Sequence, residues 1–411
     1  MGTRSRDRVI RLGFIGVANM GTYNLKAFLR RPDVRIAAVC DVDQGHLGTA
    51  KALVDSTYGD QECRTFSDFR ELNGWSGIEA VVISTPDHWH VAQAVHAAVC
   101  GKDIYLEKPL TLTLAEGRML CQVVAATGRI LQTGSQQRSM PEFRRACELV
   151  RNGYLGDVRR IDVELPPNNK TCPPEWSPMP VPPELDYESW LGPAPAAPYH
   201  EQRCHYQFRF ILDYSGGQVT NFGAHHLDIV QWALGKDETG PCRAWGVGEF
   251  PESGLFTTAT RVDAWLAYAD GVEVHVWTGG SGVTFVGTAG TLSVQRGALR
   301  SVPAELAGLE PRPRDVQLYR SDDHHANWLE CIRTRRVPVC PAEVGHRSAS
   351  CCHLLNLAMR LGRELTWDPL AERFPGDAAA QAFCQRPPRE PYGNWLREWY
   401  GKACPRPPEA R

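Results

Sequence analysis

Three short segments carry side chains whose types and spacing suit redox chemistry on a bound nucleotide. The first is Gly13-Phe-Ile-Gly16-Val-Ala18-Asn19-Met20-Gly21. A glycine-spaced turn between a strand and a helix brings backbone N–H groups and a helix N-terminus up to a pyrophosphate. Ala18 stands where the fingerprint has its second glycine, and alanine is the smallest intrusion possible there. Twenty positions after Gly21, Asp41 ends the second β-branched run, where a carboxylate accepts hydrogen bonds from both hydroxyls of an adenosine ribose. With Asp43 beside it and no Lys or Arg before Lys51, a 2′-phosphate is repelled. The segment therefore predicts NAD rather than NADP.

The second segment is Ser84-Thr85-Pro86-Asp87-His88-Trp89-His90 and the third is Glu107-Lys108-Pro109. Each follows a short apolar run, and ligands of open parallel sheets bind outside the strands' carboxyl ends. Both segments thus converge on one crevice beside the nicotinamide, with Glu107 and the Ser84–His90 turn against the cofactor. There the Lys108 ammonium meets a substrate hydroxyl. Taken singly, Asp87 reads as a helix cap, the histidines as surface polar groups, and Glu107 with Lys108 as a surface ion pair.

The elements that must hold these segments are legible as alternating β-branched runs and helical periods. Val9 to Ile15, Arg35 to Cys40, Ala80 to Ser84, Ile104 to Leu106 and Ile130 to Gln132 read as strands of a doubly wound parallel sheet. Thr113-x-x-Glu116 and Ser139-x-x-Glu142 read as helix starts; Gly101, Gly128 and Gly153 read as stops. Eleven of the thirty prolines lie between Pro166 and Pro198, which predicts a long irregular excursion. After it, Arg261 to Tyr268 and Val272 to Thr278 flank an Asp270-Gly271 turn, and Val283 to Gln295 continues the strand character. A helix over Ala342 to Leu361, stopped near Gly362, and a Pro-rich tail follow. The fold class is α/β: a Rossmann domain over residues 1–135 and an α/β domain with a mostly antiparallel open sheet over 136–411.

Composition narrows the function classes. The 411 residues are 43% hydrophobic and 22% charged, with 45 basic and 47 acidic side chains. That balance provides no field to gather nucleic acid. No apolar run reaches the 18 or so residues of a membrane helix, and Met1 to Asp7 is polar, so a cytoplasmic, membrane-free protein is expected. The fourteen cysteines form no Cys-x-x-Cys pair, which speaks against a zinc module or a disulfide framework.

The glycine fingerprint, the Thr-Pro-Asp-His-x-His segment and Glu-Lys-Pro, in this order, resemble the Gfo/Idh/MocA oxidoreductase family. The likeness runs on through Gly153, Gly216-Gly217-Gln218-x-x-Asn221-Phe-Gly-Ala-His225-His226-Leu-Asp228 and Gly345-His346-Arg347-Ser348. It implies a Rossmann domain, a C-terminal domain whose open sheet often mediates homo-oligomerisation, and a cis Pro109. It also implies that Lys108 contacts the reacting hydroxyl, where an ammonium stabilises alkoxide-like charge. The family's Asp-x-x-x-His pair maps onto Asn221 and His225. A spacing of four puts these two on one helical face, where Asn221 orients the ring or touches a substrate hydroxyl. His225 is then the general base, with Asp228 as a partial substitute for the missing carboxylate. A metal site at His225, His226 and Asp228 lacks ligands at known spacing, so no metal is expected.

Arg203-Cys-His205-Tyr206-Gln-Phe-Arg209 mixes donors and aromatics in the manner of a carbohydrate subsite, with Arg203, His205 and Arg209 holding neighbouring hydroxyls. Trp176, Tyr187 and Trp190 serve as stacking platforms or, more simply, pin the loop; His324 and His325 cap the helix that follows. The leading expectation is hydride transfer between NAD and a secondary alcohol of a sugar, glycoside or cyclitol. Some members of the resembling family are glycosidases or oxidoreductases of a closed-cycle kind, in which transient oxidation of a sugar carbon permits elimination or epimerisation before the hydride returns, and His205, Tyr206 and Tyr214 are candidate extra bases for one. A non-catalytic NAD sensor is the alternative from another class.

Overall fold

The computed structural model describes residues 8–310 and 312–405. Six parallel strands form the first sheet: β1 (Ile10–Ile15), β2 (Val34–Cys40), β3 (Arg64–Phe66), β4 (Ala80–Ile83), β5 (Asp103–Leu106) and β6 (Leu131–Thr133). Their order, β3-β2-β1-β4-β5-β6, reverses direction between β1 and β4. That reversal opens the crevice in which such sheets bind ligands. The strands are short and apolar because helices cover both faces, and β1, β4 and β5 are buried almost throughout. β3 is the strand that the sequence reading omits. It has three mostly exposed residues at the sheet edge, too few for a periodic signal.

Helix α1 (Asn19–Leu29) follows β1, and α2 (Gln44–Tyr58) follows β2. Asp43 caps α2 by accepting from the His46 N–H. The helix Leu114–Thr127 begins with a capping box between Thr113 and Glu116 and ends at Gly128 in the left-handed region. The start expected at Ser139 falls one residue later: Met140 precedes Pro141 at the first helical position, and Ser139 instead meets Ser321 and His324.

The second sheet has eight strands: β7 (Val158–Leu165), β8 (Arg243–Glu249), β9 (Arg261–Ala267), β10 (Glu273–Thr278), β11 (Gly282–Gly287), β12 (Gly290–Gln295), β13 (Ala298–Val302) and β14 (Leu365–Thr366). Their order is β13-β12-β11-β7-β10-β9-β8-β14, antiparallel except where β7 meets β10. Inward residues such as Ile161, Val163, Leu266, Val274 and Phe285 pack against the helices Gly223–Leu234 and Ala342–Leu361. The other face carries a row of stacked, half-buried rings, Trp245, Trp265, His275 and Trp277, with no helix packed over it among the described residues. Two late segments return to the Rossmann side. Trp328 of the helix His324–Thr334 is buried with β1 and β2, and Tyr392, Leu396 and Trp399 of the helix Tyr392–Ala403 pack on the helix His90–Val99.

The proline-rich segment is irregular up to Tyr187, as its composition predicts. It crosses to the first sheet, where the Gln44 N–H donates to Glu184 O at 2.9 Å and the Asp186 N–H to Val42 O at 3.0 Å. Leu185 and Asp43 form a β-bridge between these two bonds. The strap thus closes over the carboxyl end of β2, the position of Asp41. Among the described residues no helix is long and apolar enough to cross a membrane.

Candidate functional site

A cavity of about 570 Å³ runs from the end of β2 to the start of the helix Gly223–Leu234. Its nucleotide end is built by close backbone approach. Gly16 has φ +77°, and a Cβ there would stand 2.8–2.9 Å from Thr85. A Cβ on Gly21 would stand 2.0 Å from the Gly16 carbonyl oxygen. Only glycine fits either position. Ala18, the N-cap of α1, offers no capping side chain, and the first turn holds no acidic residue. The amides at Ala18, Asn19 and Met20 are therefore open to an anion in the cavity they line.

Asp41 faces the same cavity, with Oδ2 accepting from the Val17 N–H at 2.9 Å and Oδ1 from the Asp43 N–H at 3.0 Å. Burial pushes its pKa up and these two backbone donors oppose the rise. Each oxygen keeps a lone pair, which suits two ribose hydroxyls. A glycine cradle that a Cβ would fill and a fixed carboxylate twenty positions on fit a dinucleotide.

At the other end Lys108 and a cis Pro109 follow β5. The Lys108 ammonium donates to Asn221 O at 3.0 Å and to Asn221 Oδ1 at 2.9 Å. Of its three protons one remains for a ligand. Burial holds its pKa below the usual lysine value, while Glu107 and Asp87 act the other way. Glu107 is buried beside it, hydrogen-bonded to Asn24 at 3.0 Å, with its own pKa raised by desolvation. Asp87 lines the cavity too and accepts from the Ser215 hydroxyl at 2.6 Å.

His225 lines the cavity and is 4% exposed, with Nδ1 unpartnered among the described residues. Burial, then the nearby Lys108, drive its pKa well below the ordinary histidine value, so the ring is neutral. Asn221 does not orient it. The helical run is interrupted at Phe222, whose carbonyl takes the His225 N–H, and the Asn221 carbonyl is left free for Lys108. Asn221 also donates to Gln218 Oε1 at 2.9 Å. Asp228 does not substitute for the missing carboxylate either: it accepts from Arg138 and from the Ser348 hydroxyl inside the core. His226 points away from the other potential ligands, to Ser281.

Other sequence-derived positions divide in the same way. Ser84, Thr85 and Pro86 line the cavity; His88 and His90 do not. His88 donates from Nε2 to Trp190 O, with its pKa pushed down to about 3 by burial, and His90 bridges Thr85 O and Pro109 O. Both therefore fix the loops around the cavity. Arg209 lines it, stacked 3.9 Å over the Tyr206 ring. Arg203 lies outside, committed to Pro198 O and the Tyr214 hydroxyl, so it supports the strap rather than a ligand. His205 lies with Asp43 and His46 at the ribose end rather than beside Lys108. Trp190 reaches the cavity while Trp176 packs edge-on to His200. His324 does not cap its helix; Asp323 does.

This combination defines a two-domain, dinucleotide-binding oxidoreductase architecture. A family model described as "Oxidoreductase family, NAD-binding Rossmann fold" matches residues 10–135, and its companion, "Oxidoreductase family, C-terminal alpha/beta domain", matches 173–394. The chain belongs to the Gfo/Idh/MocA oxidoreductase family and carries its NAD-binding domain. A relative in Bacillus subtilis (strain 168), the uncharacterized oxidoreductase YrbE, is 24% identical over 81% of this chain and 89% of its own. Inositol 2-dehydrogenase 1 of Saccharopolyspora erythraea is 33% identical, over 36% of this chain and 43% of its own. A glycosyl hydrolase family 109 protein of Shewanella sp. (strain W3-18-1) is 29% identical over 36% and 33%. The last two thus share under half of their length with it. Among solved structures, aldose-aldose oxidoreductase from Caulobacter crescentus superposes with a TM-score of 0.66 at 18% identity, covering 87% of this chain and all of that one. Scyllo-inositol dehydrogenase from Lactobacillus casei, solved with NAD(H) and scyllo-inositol, gives 0.63 at 17%, covering 87% and 99%. At these identities the structures share the fold.

Proposed function

We propose that this chain oxidises a secondary alcohol of a sugar, glycoside or cyclitol with NAD. The observation that carries the reading is the Lys108 ammonium, fixed by both oxygens of Asn221, in one cavity with the unpartnered ring of His225. Bound NAD supplies the acceptor for the hydride that leaves the carbinol carbon with its two electrons. Gly16, Gly21 and the open first turn of α1 hold the pyrophosphate, and Asp41 the ribose. The third proton of Lys108 points a hydrogen bond at the reacting oxygen and steadies the charge that develops there. Neutral His225 takes the hydroxyl proton. Arg209 and Asn221, which line the same cavity, would meet neighbouring hydroxyls. The uncovered tryptophan row of the second sheet is the surface through which copies of the chain would assemble.

A second reading is favoured by the strap. Backbone bonds join Glu184 and Asp186 to the end of β2 on the ribose side of the cavity, where they would retain a bound cofactor. Retention suits a closed cycle in which one sugar carbon is oxidised, its acidified neighbour reacts, and the first carbon is reduced again. The two readings separate on one experiment: denature the purified protein, quantify released nucleotide, and then screen sugars, glycosides and cyclitols. An empty site with NADH accumulating in step with substrate supports the dehydrogenase. Near-stoichiometric NAD, with turnover but no NADH, supports the cycle. A protein that binds NAD yet converts nothing on the panel, with or without Lys108, refutes both.

A further inference from the structure

Among the described residues the fold brings together one cluster of metal-binding groups that the chemistry above does not use. Asp43 and His46 belong to the start of α2; His205 arrives from the segment beyond the strap. One ligand atom from each lies within 4.8 Å of the other two. Asp43 Oδ1 is committed to the His46 N–H at 3.0 Å as the helix cap. Its Oδ2 is free, 3.9 Å from His46 Nδ1 and 3.8 Å from His205 Nε2. The two rings meet edge to face with centroids 4.9 Å apart, so both present a nitrogen to the same carboxylate oxygen.

These features are those of a cation site rather than of a capped helix alone. A tetrahedral zinc ion with bonds of about 2.0–2.1 Å sets its ligand atoms roughly 3.4 Å apart, so about half an ångström of side-chain rotation closes the two separations from Asp43 Oδ2, while the third, between the ring nitrogens, lies within 4.8 Å. The groups acting electrostatically on His205 are His46, Asp43 and Asp41. Two carboxylates beside two imidazoles make a field that attracts a cation. His205 also has φ +50°, a conformation uncommon for non-glycine residues, so the backbone adopts an unfavourable geometry at the residue that presents the third ligand.

We propose that Asp43, His46 and His205 bind a divalent cation of the zinc class, with a fourth position open to the cavity. The ion would staple α2 to the segment beyond the strap. Lying beside Asp41, it would compete with the adenosine ribose and so govern cofactor entry. The competition rests on the NAD reading above; the metal site itself does not.

The test is a titration of the full-length protein with Co²⁺ as a spectroscopic stand-in for zinc, followed by displacement with Zn²⁺. Three substitutions spare the fold: Asp43→Asn keeps a capping side chain, His205→Asn tolerates a positive φ, and His46→Gln sits on a half-exposed helical turn. The expected result is one tetrahedral Co²⁺ per chain, bound at least about tenfold more weakly in each variant because even outer-shell losses reach that size. Thermal transitions should be unchanged. Zn²⁺ should raise the apparent Kd for NAD in the wild type and not in His205→Asn. A cobalt spectrum of thiolate character that ignores the three substitutions, or no saturable binding, overturns the site. Metal binding lost in all three variants with NAD affinity indifferent to Zn²⁺ overturns the competition.

Discussion

Replacing Asn221 by aspartate restores the carboxylate that the family pattern carries and tests how the neutral site works. Two effects of opposite sign follow from the geometry. Asn221 Nδ2 donates to Gln218 Oε1 at 2.9 Å, and Gln218 is itself held through its Nε2 to Pro167 O at 2.9 Å. An aspartate oxygen there faces another acceptor, which costs about 1–3 kcal/mol of stability. In the other direction, the new charge stands at the Asn221 Oδ1 position, 2.9 Å from Lys108 Nζ, and raises the lysine pKa from its lowered value. The same charge lies in the cavity with His225, whose pKa is held down by burial and then by Lys108. With His225 as the proposed neutral base, turnover is present above its folded pKa and lost as pH falls through it. In the wild type that acid limb lies below the ordinary histidine range. In Asn221→Asp it should move up by about one pH unit, the lower part of the range for an opposite charge nearby. The assay is kcat/KM against pH on a turned-over substrate, with denaturant unfolding alongside. A stability loss with an unmoved acid limb would refute His225 as the base.

Four other outcomes are expected. Lys108→Met should lower kcat about 10²–10³-fold, the scale of losing one preorganised oxyanion donor, with NAD affinity nearly kept; full turnover would contradict the assignment. Gly21→Ala puts a Cβ 2.0 Å from the Gly16 oxygen and should empty the purified protein of nucleotide, at a stability cost of about 1–3 kcal/mol. Asp228→Asn should cost about 3 kcal/mol in chemical unfolding, since Arg138 keeps only the more exposed Asp237, and should leave the acid limb in place. Trp265→Glu, in the uncovered aromatic row, should shift the protein to smaller species in sedimentation velocity while NAD binding persists.

Most of the Rossmann sheet was legible because buried parallel strands leave continuous apolar runs. What failed was local signal. Arg64–Phe66 is three residues on an edge, and no three residues show a period. The alternation in Val158–Leu165 is present, with Ile161, Val163 and Leu165 inward, yet the proline-rich segment directly after it masked the strand. The Pro-rich tail also carries a helix, Tyr392–Ala403. Tyr392, Leu396 and Trp399 recur at helical intervals and bury one face on the Rossmann domain.

The site shows where spacing arguments end. Lys108 and His225, each on a motif whose backbone context is strong, both line the cavity. Asn221 was assigned to His225 because four residues make one helical turn, but that holds only where the helix is continuous. The interruption at Phe222 redirects the Asn221 carbonyl to Lys108, and no rule of residue type predicts it. Asp228 is three residues from His225 and faces the opposite way, into Arg138, a partner ninety residues earlier in the chain. His46 carried no signal at all until the strap brought His205 beside it. The groups whose chemistry depends on a partner far along the chain are thus those that sequence order cannot pair. Two of these pairings, Lys108 with Asn221 and Asp43 with His205, join the first domain to separate segments of the second, so each end of the cavity is completed from far along the chain.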